Sequence, residues 1–326
     1  MPRLRKYHVN KSVLFITNSI EQGLMLNANK LCKLILNTCL ARAQALHPVR
    51  ICHFVVEATH IHMTVIVDNP NDIKDFMERF KTESATRLNK VLGRQKRTIW
   101  CKGYDSCIIQ TIEKAKDVIA YIYSNPAKDN LEDSIDSYPG LSSWKMFQKN
   151  ELEKIFKYVR RPAFKALTRD AYNIPGFERE ANRLMNSSKD IHTFKIDPNA
   201  WMEAFNITLD IDKRAINDDI VKRVRKLEDE ARVKRTKEGK SVMGAKRLNQ
   251  ALIDTNYLPE RNGRKMWVVS DDAKLRKQLI AEIRALANTA REVYHKWKIG
   301  DYRDKFPLGM YPPCLPKIAE PAFVEI

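Results

Sequence analysis

The chain has 326 residues, of which 44% are hydrophobic and 30% are charged. This apolar content is sufficient for one large domain or two ordinary ones, and it excludes a chain that is disordered as a whole. The formal net charge is +18, and both halves of the chain carry more Lys and Arg than Asp and Glu. The charge therefore argues against a neutral enzyme with one basic tail, and it favours a polyanionic partner such as nucleic acid.

The first 126 residues alternate between strand and helix patterns. Apolar runs separated by turn residues predict, in chain order, a strand over 7–16, a helix over about 28–46, strands over 50–57 and 61–67, a helix over about 71–92, a strand over 98–109 interrupted near Gly103, and a helix over about 112–124 that stops before Pro126. The second and third strands follow each other directly, so they must pair as an antiparallel hairpin. The order predicts an α+β fold in which helices pack on an antiparallel sheet.

Helical patterns dominate after about Trp144, and convincing strand patterns are few. Residues 212–236 read as a highly charged helix, and Ser270-Asp271-Asp272 begins a further helix that ends at Gly300. The tail from Phe306 is proline-rich and is expected to be extended. We therefore expect an N-terminal domain over 1–146, and a basic, mostly helical DNA-binding region over 147–326.

The remaining bulk features concern location. No apolar run approaches the roughly 20 residues that a membrane-spanning helix needs. The six cysteines form no CxxC pair, which is typical of buried free thiols in a reducing compartment. We expect a cytoplasmic protein with no membrane partner.

The third predicted strand, within A-T-H-I-H-M-T-V-I-V at residues 58–67, carries two histidines. Strand side chains alternate between faces, so His60 and His62 point the same way, roughly 7 Å apart along the backbone. Glu57 lies close to the same place. Two imidazoles on one face are either metal ligands or inert polar groups that share a face by chance.

The helix predicted over 112–124 carries two tyrosines near its end. Tyr121 and Asn125 stand four residues apart and share a helix face, whereas Tyr123 is rotated away from Tyr121. A phenol beside a two-histidine metal site would combine a nucleophile with a Lewis acid.

Several motifs in a consistent order carry a resemblance to a known family. They are Tyr7-His8-Val9, His60-Ile61-His62, Trp100-Cys101-Lys102-Gly103-Tyr104, the run Y-I-Y-S-N-P at 121–126, Ser137-Tyr138-Pro139 with Ser142-Ser143-Trp144, and the stretch from Ala290 to Pro307. Together they resemble the REP-associated tyrosine transposases, a branch of the single-tyrosine transposases with an HUH motif (histidine, hydrophobic residue, histidine). The chain departs from the usual pattern at Thr59, where Asn is common, at Cys101 and Gly103, which replace Gln and Arg, and at the additional Gly140-Leu141.

The resemblance implies a ferredoxin-like HUH domain and a metal-dependent enzyme. Such enzymes nick and rejoin single-stranded DNA next to hairpins through a 5′-phosphotyrosine intermediate. Tyr121 would be the nucleophile, and His60, His62 and Asn125 would hold Mg²⁺ or Mn²⁺. From its chemistry, Glu57 could support a histidine and fix its tautomer, or it could be an ordinary surface or pairing residue. The family is bacterial, so the resemblance also implies a cytoplasmic, nucleoid-associated protein.

Three alternatives stay open at the level of sequence. Tyr123 could be the nucleophile, the protein could be a catalytically silent DNA-binding relative, or it could be an HUH replication initiator. The oligomeric state, monomer or homodimer, is equally open. The candidate DNA-binding residues are the loop cations Arg94, Lys96 and Arg97, the strand residue Lys102, and the basic arm Arg3, Arg5 and Lys6.

Overall fold

The computed structural model of the protein describes residues 6–20, 24–25, 30–91, 98–158, 190–251 and 266–312. The N-terminal elements are β1 Val13–Ser19, α1 Lys30–Leu46, β2 Arg50–Val56, β3 His60–Ile66, α2 Pro70–Val91, β4 Asp105–Ile109, α3 Ile112–Lys128, β5 Leu141–Ser142 and α4 Trp144–Lys149. The C-terminal elements are β6 Glu153–Tyr158, β7 Asp190–Lys195, α5 Ala200–Glu203, α6 Asp210–Lys237, α7 Gly244–Gln250, β8 Val268–Val269 and α8 Ala273–Lys298.

Six strands form the main sheet in the order β5-β2-β3-β1-β4-β8. All neighbours are antiparallel except β4 and β8, which run parallel. The central β2-β3-β1-β4 order, built from a βαββαβ succession, is the predicted ferredoxin-like arrangement. The predicted fold class, an antiparallel sheet with helices packed on it and a largely helical C-terminal region, is confirmed.

The strand β3 occupies the middle of the sheet and is buried on both faces. Ile61, Met63 and Val65 on one face are all fully buried, and so is Thr64 on the other. His62 is opposite Thr17 of β1 and Val55 of β2, so these residues share the histidine face. The helix α3 packs against β2 and β3, which brings it to this face, and α1 packs against α2.

Three predicted boundaries are wrong. The strand predicted over 98–109 is regular only in its second part, β4. The first strand begins at Val13 rather than at residue 7, because the chain turns at Lys11, whose φ is 61°. The helix α3 does not stop before Pro126 but continues to Lys128. Proline lacks only its own N–H, and so close to the helix end this removes a single hydrogen bond. The extra turn carries residues that matter at the site described below.

The C-terminal region contains strands as well as helices. β6 and β7 form a two-stranded antiparallel sheet beside α1, and β8 joins the main sheet. The last helix begins as predicted, because the Asp272 carboxylate accepts hydrogen bonds from the first-turn N–H groups of Lys274 and Leu275. No helix among the described ranges is long and apolar enough to cross a bilayer.

Candidate metal and tyrosine site

Three potential metal ligands converge at the start of β3. The ring centroids of His60 and His62 lie 4.5 Å apart with the rings nearly perpendicular, at 86°. The Nε2 atom of His60 is 3.6 Å from an oxygen of Glu57, which the tight connection between β2 and β3 places alongside. One ligand atom from each of these three residues lies within 4.8 Å of the others. This spacing is compatible with one shared cation.

Threonine hydroxyls hold both imidazoles through Nδ1. The Oγ1 atom of Thr17, on the neighbouring strand β1, lies 3.0 Å from His62 Nδ1, and Thr59 Oγ1 lies 3.3 Å from His60 Nδ1. His62 is 4% exposed, and among the described residues its Nε2 atom has no hydrogen-bond partner. Burial, followed by the positive charges of His60 and Lys128, lowers the pKa of His62 well below its usual value. His62 is therefore a neutral imidazole with one free nitrogen, which is the form that binds a metal.

Glu57 is fully buried, and neither carboxylate oxygen has a hydrogen-bond donor within the described parts of the chain. Burial raises the pKa of Glu57 well above its usual range, and the neighbouring carboxyl of Asp129 raises it further. A buried carboxylate without a donor is costly, and a bound cation would remove that cost. The structure thus places Glu57 close enough to be a ligand itself, as well as a support for His60.

The helix α3 brings Tyr121 over the same histidines. The Tyr121 ring lies 5.6 Å from the His62 ring and 6.1 Å from the ring of Phe15. The side chain of Asn125, one turn further along the helix, lies near the Tyr121 hydroxyl. Burial raises the pKa of Tyr121, and the carboxyls of Glu57 and Asp129 add to this rise, whereas the nearby Asn125 side chain opposes it. The phenol is thus protonated at neutral pH, and it becomes a good nucleophile only when a positive charge approaches.

Sequence reasoning missed two residues at this site, Lys128 and Asp129. The Lys128 ammonium lies 4.5 Å from the centroid of the Tyr121 ring. Lys128 follows Tyr121 by seven residues, or two helical turns, so the helical repeat could have identified it. The prediction failed because α3 was expected to end before Pro126.

Tyr123 occupies a different environment. Its side chain is fully buried, and its hydroxyl lies 2.8 Å from both His53 Nδ1 and Ser143 Oγ. The ring packs against Trp144 and Phe147. Burial raises the pKa of Tyr123. These contacts give Tyr123 the surroundings of a core residue.

The donor set fits a divalent cation. Two imidazoles, a carboxylate and an amide side chain offer mixed nitrogen and oxygen ligands, which suit Mn²⁺ and tolerate Mg²⁺. Three of these groups also carry atoms without partners among the described residues, namely His62 Nε2, both Glu57 oxygens and Asn125 Nδ2. A cation here would satisfy buried groups that the described protein leaves unsatisfied.

Two of the predicted DNA-binding residues come together, but away from Tyr121. Lys6 and Lys102 line a groove of about 610 Å³, in which the Lys6 ammonium lies 3.6 Å from the centroid of the Tyr104 ring. The adjacent Ser106 pairs with Ile16 and thus faces away from the histidine face. The groove therefore belongs to the opposite side of the sheet. The other predicted cations, Arg3, Arg5, Arg94, Lys96 and Arg97, lie outside the described residues.

Comparison with known proteins gives one family match. Residues 15–125 match the model of the family described as transposase IS200 like. A solved structure of a REP-associated tyrosine transposase bound to a REP hairpin aligns with 46% of this chain and 87% of its own, at 16% identity and a TM-score of 0.41. A structural likeness this weak carries no functional argument. No curated protein matches the chain.

The matched segment includes both histidines, Tyr121 and Asn125, which are the residues that the motifs had singled out. The resemblance inferred from those motifs is confirmed at the level of this family. Residues 15–125 are thus similar to the IS200-like transposase family.

Proposed function

We propose that this protein is a metal-dependent tyrosine transposase that nicks and rejoins single-stranded DNA beside hairpins. The observation that carries the proposal is the convergence of Tyr121 on the His60–His62 pair, with its ring 5.6 Å from that of His62. A phenol, two imidazoles, a carboxylate and an amide at one place are more than the fold requires, because several of their polar atoms stay unpaired in the described structure.

In the proposed reaction, the Tyr121 oxygen attacks the phosphorus of a phosphodiester and releases its proton to water. A bond forms between the phenolic oxygen and phosphorus, and the bond from phosphorus to the 3′ oxygen breaks. The 3′ oxygen takes up a proton and leaves as a hydroxyl. The reverse attack by a 3′ hydroxyl rejoins a strand without an energy cofactor.

The side chains around Tyr121 have separate tasks. His60, His62, Glu57 and Asn125 would hold the cation, which when bound stabilises negative charge on the phosphate. Asn125 also lies beside the phenol, one turn further along the same helix. Lys128, above the phenol ring, supplies a fixed positive charge where the phosphate must come.

A labelled-strand experiment tests the proposal. The protein is incubated with Mn²⁺ and a hairpin-flanked single strand that carries either a 5′ or a 3′ label, and the products are separated under denaturing conditions. Attack by Tyr121 leaves the protein on the 5′ phosphate of the downstream fragment, so the adduct must carry the 3′ label. The 5′-labelled fragment must be released with a free 3′ hydroxyl.

The alternatives give other outcomes in the same experiment. Binding without any adduct on any hairpin-flanked strand would identify a catalytically silent DNA-binding protein. An adduct that persists in Tyr121→Phe and disappears in Tyr123→Phe would transfer the nucleophile to Tyr123, as expected of an initiator that uses the second tyrosine.

The excess positive charge gives a second test. For about six phosphate contacts, affinity for the hairpin strand is expected to fall by about 10³-fold between 50 and 200 mM salt, because bound cations are released. Fluorescence anisotropy over this range measures the slope. A flat response would contradict the assignment of the basic residues to phosphate binding.

A further inference from the structure

The helix α6, which lies outside the family-matched segment, runs alongside the tyrosine helix α3. Near the beginning of α3, the Arg223 guanidinium forms ion pairs with Glu113 and Asp117. These three side chains are 28%, 53% and 46% exposed. Exposed pairs of this kind contribute little to stability, so they align the helices without fixing them tightly.

The contact at the other end of α3 is buried. The Arg235 side chain is 5% exposed, and its guanidinium donates to the carbonyl of Ala127 at 3.0 Å and to Asn130 Oδ1 at 3.3 Å. It also forms an ion pair with Asp133. A cation at the last carbonyls of a helix satisfies acceptors there and suits the helix dipole. The guanidinium fork fixes two different acceptors at once, which a lysine could not do in the same geometry.

The segment that follows α3 is held by the same C-terminal elements. The Asn130 carbonyl accepts from the N–H of Met243 at 2.8 Å, and the Leu131 carbonyl accepts from the N–H of Gly244 at 3.0 Å. Glu228 of α6 is 2% exposed and accepts from the N–H of Ile135 at 2.7 Å. The end of α3 and the chain beyond it are thus positioned by residues at least 93 positions later.

This end of α3 carries the groups that surround the phenol. Asn125 lies near the Tyr121 hydroxyl, Lys128 lies over its ring, and Asp129 adjoins Glu57. Arg235 forms no hydrogen bond with these three side chains in the described structure. It donates instead to the carbonyl of Ala127, which lies between Asn125 and Lys128, and to the side chain of Asn130, which follows Asp129.

We propose that Arg235 is a positioning residue for the tyrosine site, and that the C-terminal region thereby completes the catalytic unit. The inference rests on the proposed function. Without the guanidinium, the last turn of α3 would lose its buried donor and could shift relative to β3. A displacement of about 1 Å in a reacting group costs about 10²-fold in rate.

The test compares Arg235→Met with Arg232→Met. Met keeps an unbranched side chain but removes every donor. Arg232 lies one turn earlier on α6, is 54% exposed and, among the described residues, pairs with Asp229 on its own helix, so it is the matched control. We expect Arg235→Met to lower the single-turnover cleavage rate by about 10- to 100-fold, with the dissociation constant for the same strand changed less than twofold. Arg232→Met should leave both values unchanged.

Two results would overturn the inference. One is a cleavage rate in Arg235→Met within twofold of the unmodified protein. The other is a loss of DNA affinity as large as the loss of rate, which would make Arg235 a binding residue. If Arg235→Met does not fold, Arg235→Lys, which keeps the charge and one donor, is measured in its place and should show an intermediate loss of rate.

A readout without DNA separates this inference from the proposed function. Hydrogen exchange of the protein alone should become faster in peptides covering 121–131 in Arg235→Met, whereas peptides covering β3 should not change. Unchanged exchange at 121–131 would refute the positioning role even if the protein cleaves DNA. Faster exchange in a protein that forms no adduct with any strand would leave the contact supported and the proposed function refuted.

Discussion

In two places, a tyrosine of α3 packs against a histidine of the same sheet face. The two tyrosine–histidine pairs differ in their hydrogen bonds. Tyr121 lies 5.6 Å from His62 and Tyr123 lies 5.5 Å from His53, ring to ring. In the second pair, the Tyr123 hydroxyl and His53 Nδ1 are bonded at 2.8 Å, and His53 Nε2 donates to the Pro198 carbonyl at 3.1 Å. In the first pair, His62 Nε2 has no partner among the described residues.

The difference shows how identical residue types serve folding or chemistry. Buried polar groups are normally hydrogen-bonded, so a satisfied pair needs no further explanation. An unsatisfied buried nitrogen beside a half-buried phenol is a cost to stability that a ligand would offset. The following predictions are ordered by the size of the expected effect, and each one tests whether the two pairs really differ in this way.

Removal of the hydroxyl from Tyr121 should abolish cleavage, whereas its removal from Tyr123 should lower stability. Tyr121→Phe removes the attacking oxygen and should lower strand cleavage by about 10³-fold or more, with no adduct visible after denaturation. Tyr123→Phe should retain the adduct but lower the free energy of unfolding by about 1 to 3 kcal/mol, because His53 and Ser143 lose a buried partner. Denaturing electrophoresis and urea unfolding measure the two effects. An adduct in Tyr121→Phe would end the comparison.

The orientation of His62 should matter for metal affinity. Thr17→Val keeps the side-chain shape but removes the hydroxyl that contacts His62 Nδ1. Groups of this kind typically contribute 10- to 100-fold to metal affinity, and we expect a loss in that range for Mn²⁺, measured by calorimetry. Thr86→Val is the control, because the Thr86 hydroxyl donates to a carbonyl of its own helix, at Thr82. Equal affinities in the two variants would remove Thr17 from the site.

The satisfied pair should make the protein sensitive to acid. Burial lowers the pKa of His53 to about 3, so His53 binds its proton only in the unfolded state between that value and 6.5. The contribution of neutral His53 to the free energy of unfolding is therefore fully present above pH 6.5. It falls as the pH drops, by about 2 kcal/mol between pH 7 and pH 5. Urea unfolding at both pH values measures how much the free energy of unfolding falls from pH 7 to pH 5. In His53→Asn, that fall should be smaller than in the unmodified protein by about 2 kcal/mol. An unchanged loss in the variant would assign it to other groups, such as the buried His8.

The charge over the phenol should have the smallest effect. Lys128→Met removes the ammonium that lies 4.5 Å from the Tyr121 ring, and we expect a cleavage rate about fivefold lower. The control is Lys114→Met at the far end of the same helix, where the ammonium pairs with Asp117. Single-turnover rates on one hairpin strand distinguish the two. A rate in Lys128→Met equal to that in the control would show that this charge does not act on the reaction.

Local patterns were sufficient to predict much of the site. The period of two in β3 placed His60 and His62 on one face, and the period of 3.6 in α3 placed Tyr121 and Asn125 together. Those rules act over a few residues, so they hold wherever the element forms. The α+β fold followed from the order of elements and from the short link between β2 and β3.

The remaining parts depend on contacts that no local pattern contains. The partner of His62 is Thr17, 45 residues earlier, and the contact follows only from the register of β1 against β3. The buried contact of Arg235 with Ala127 spans 108 residues. A charged helix such as α6 reads as a solvated rod, because sequence alone does not show which of its cations is buried. The error at Pro126 hid Lys128, since a proline near a helix end was treated as a stop.

The two-residue strand β8 has a practical consequence for anyone who shortens this chain. The carbonyls of Trp267 and Val269 accept hydrogen bonds from the N–H groups of Ile108 and Gln110, at 2.7 and 3.1 Å. This segment therefore covers the edge of β4. A fragment that ends at residue 146 would expose that edge. Exposed edge strands pair with other chains, which leads to aggregation. Crystallisation or enzymology of a minimal fragment is best attempted with residues 266–269 restored, either on the intact polypeptide or as a fused segment.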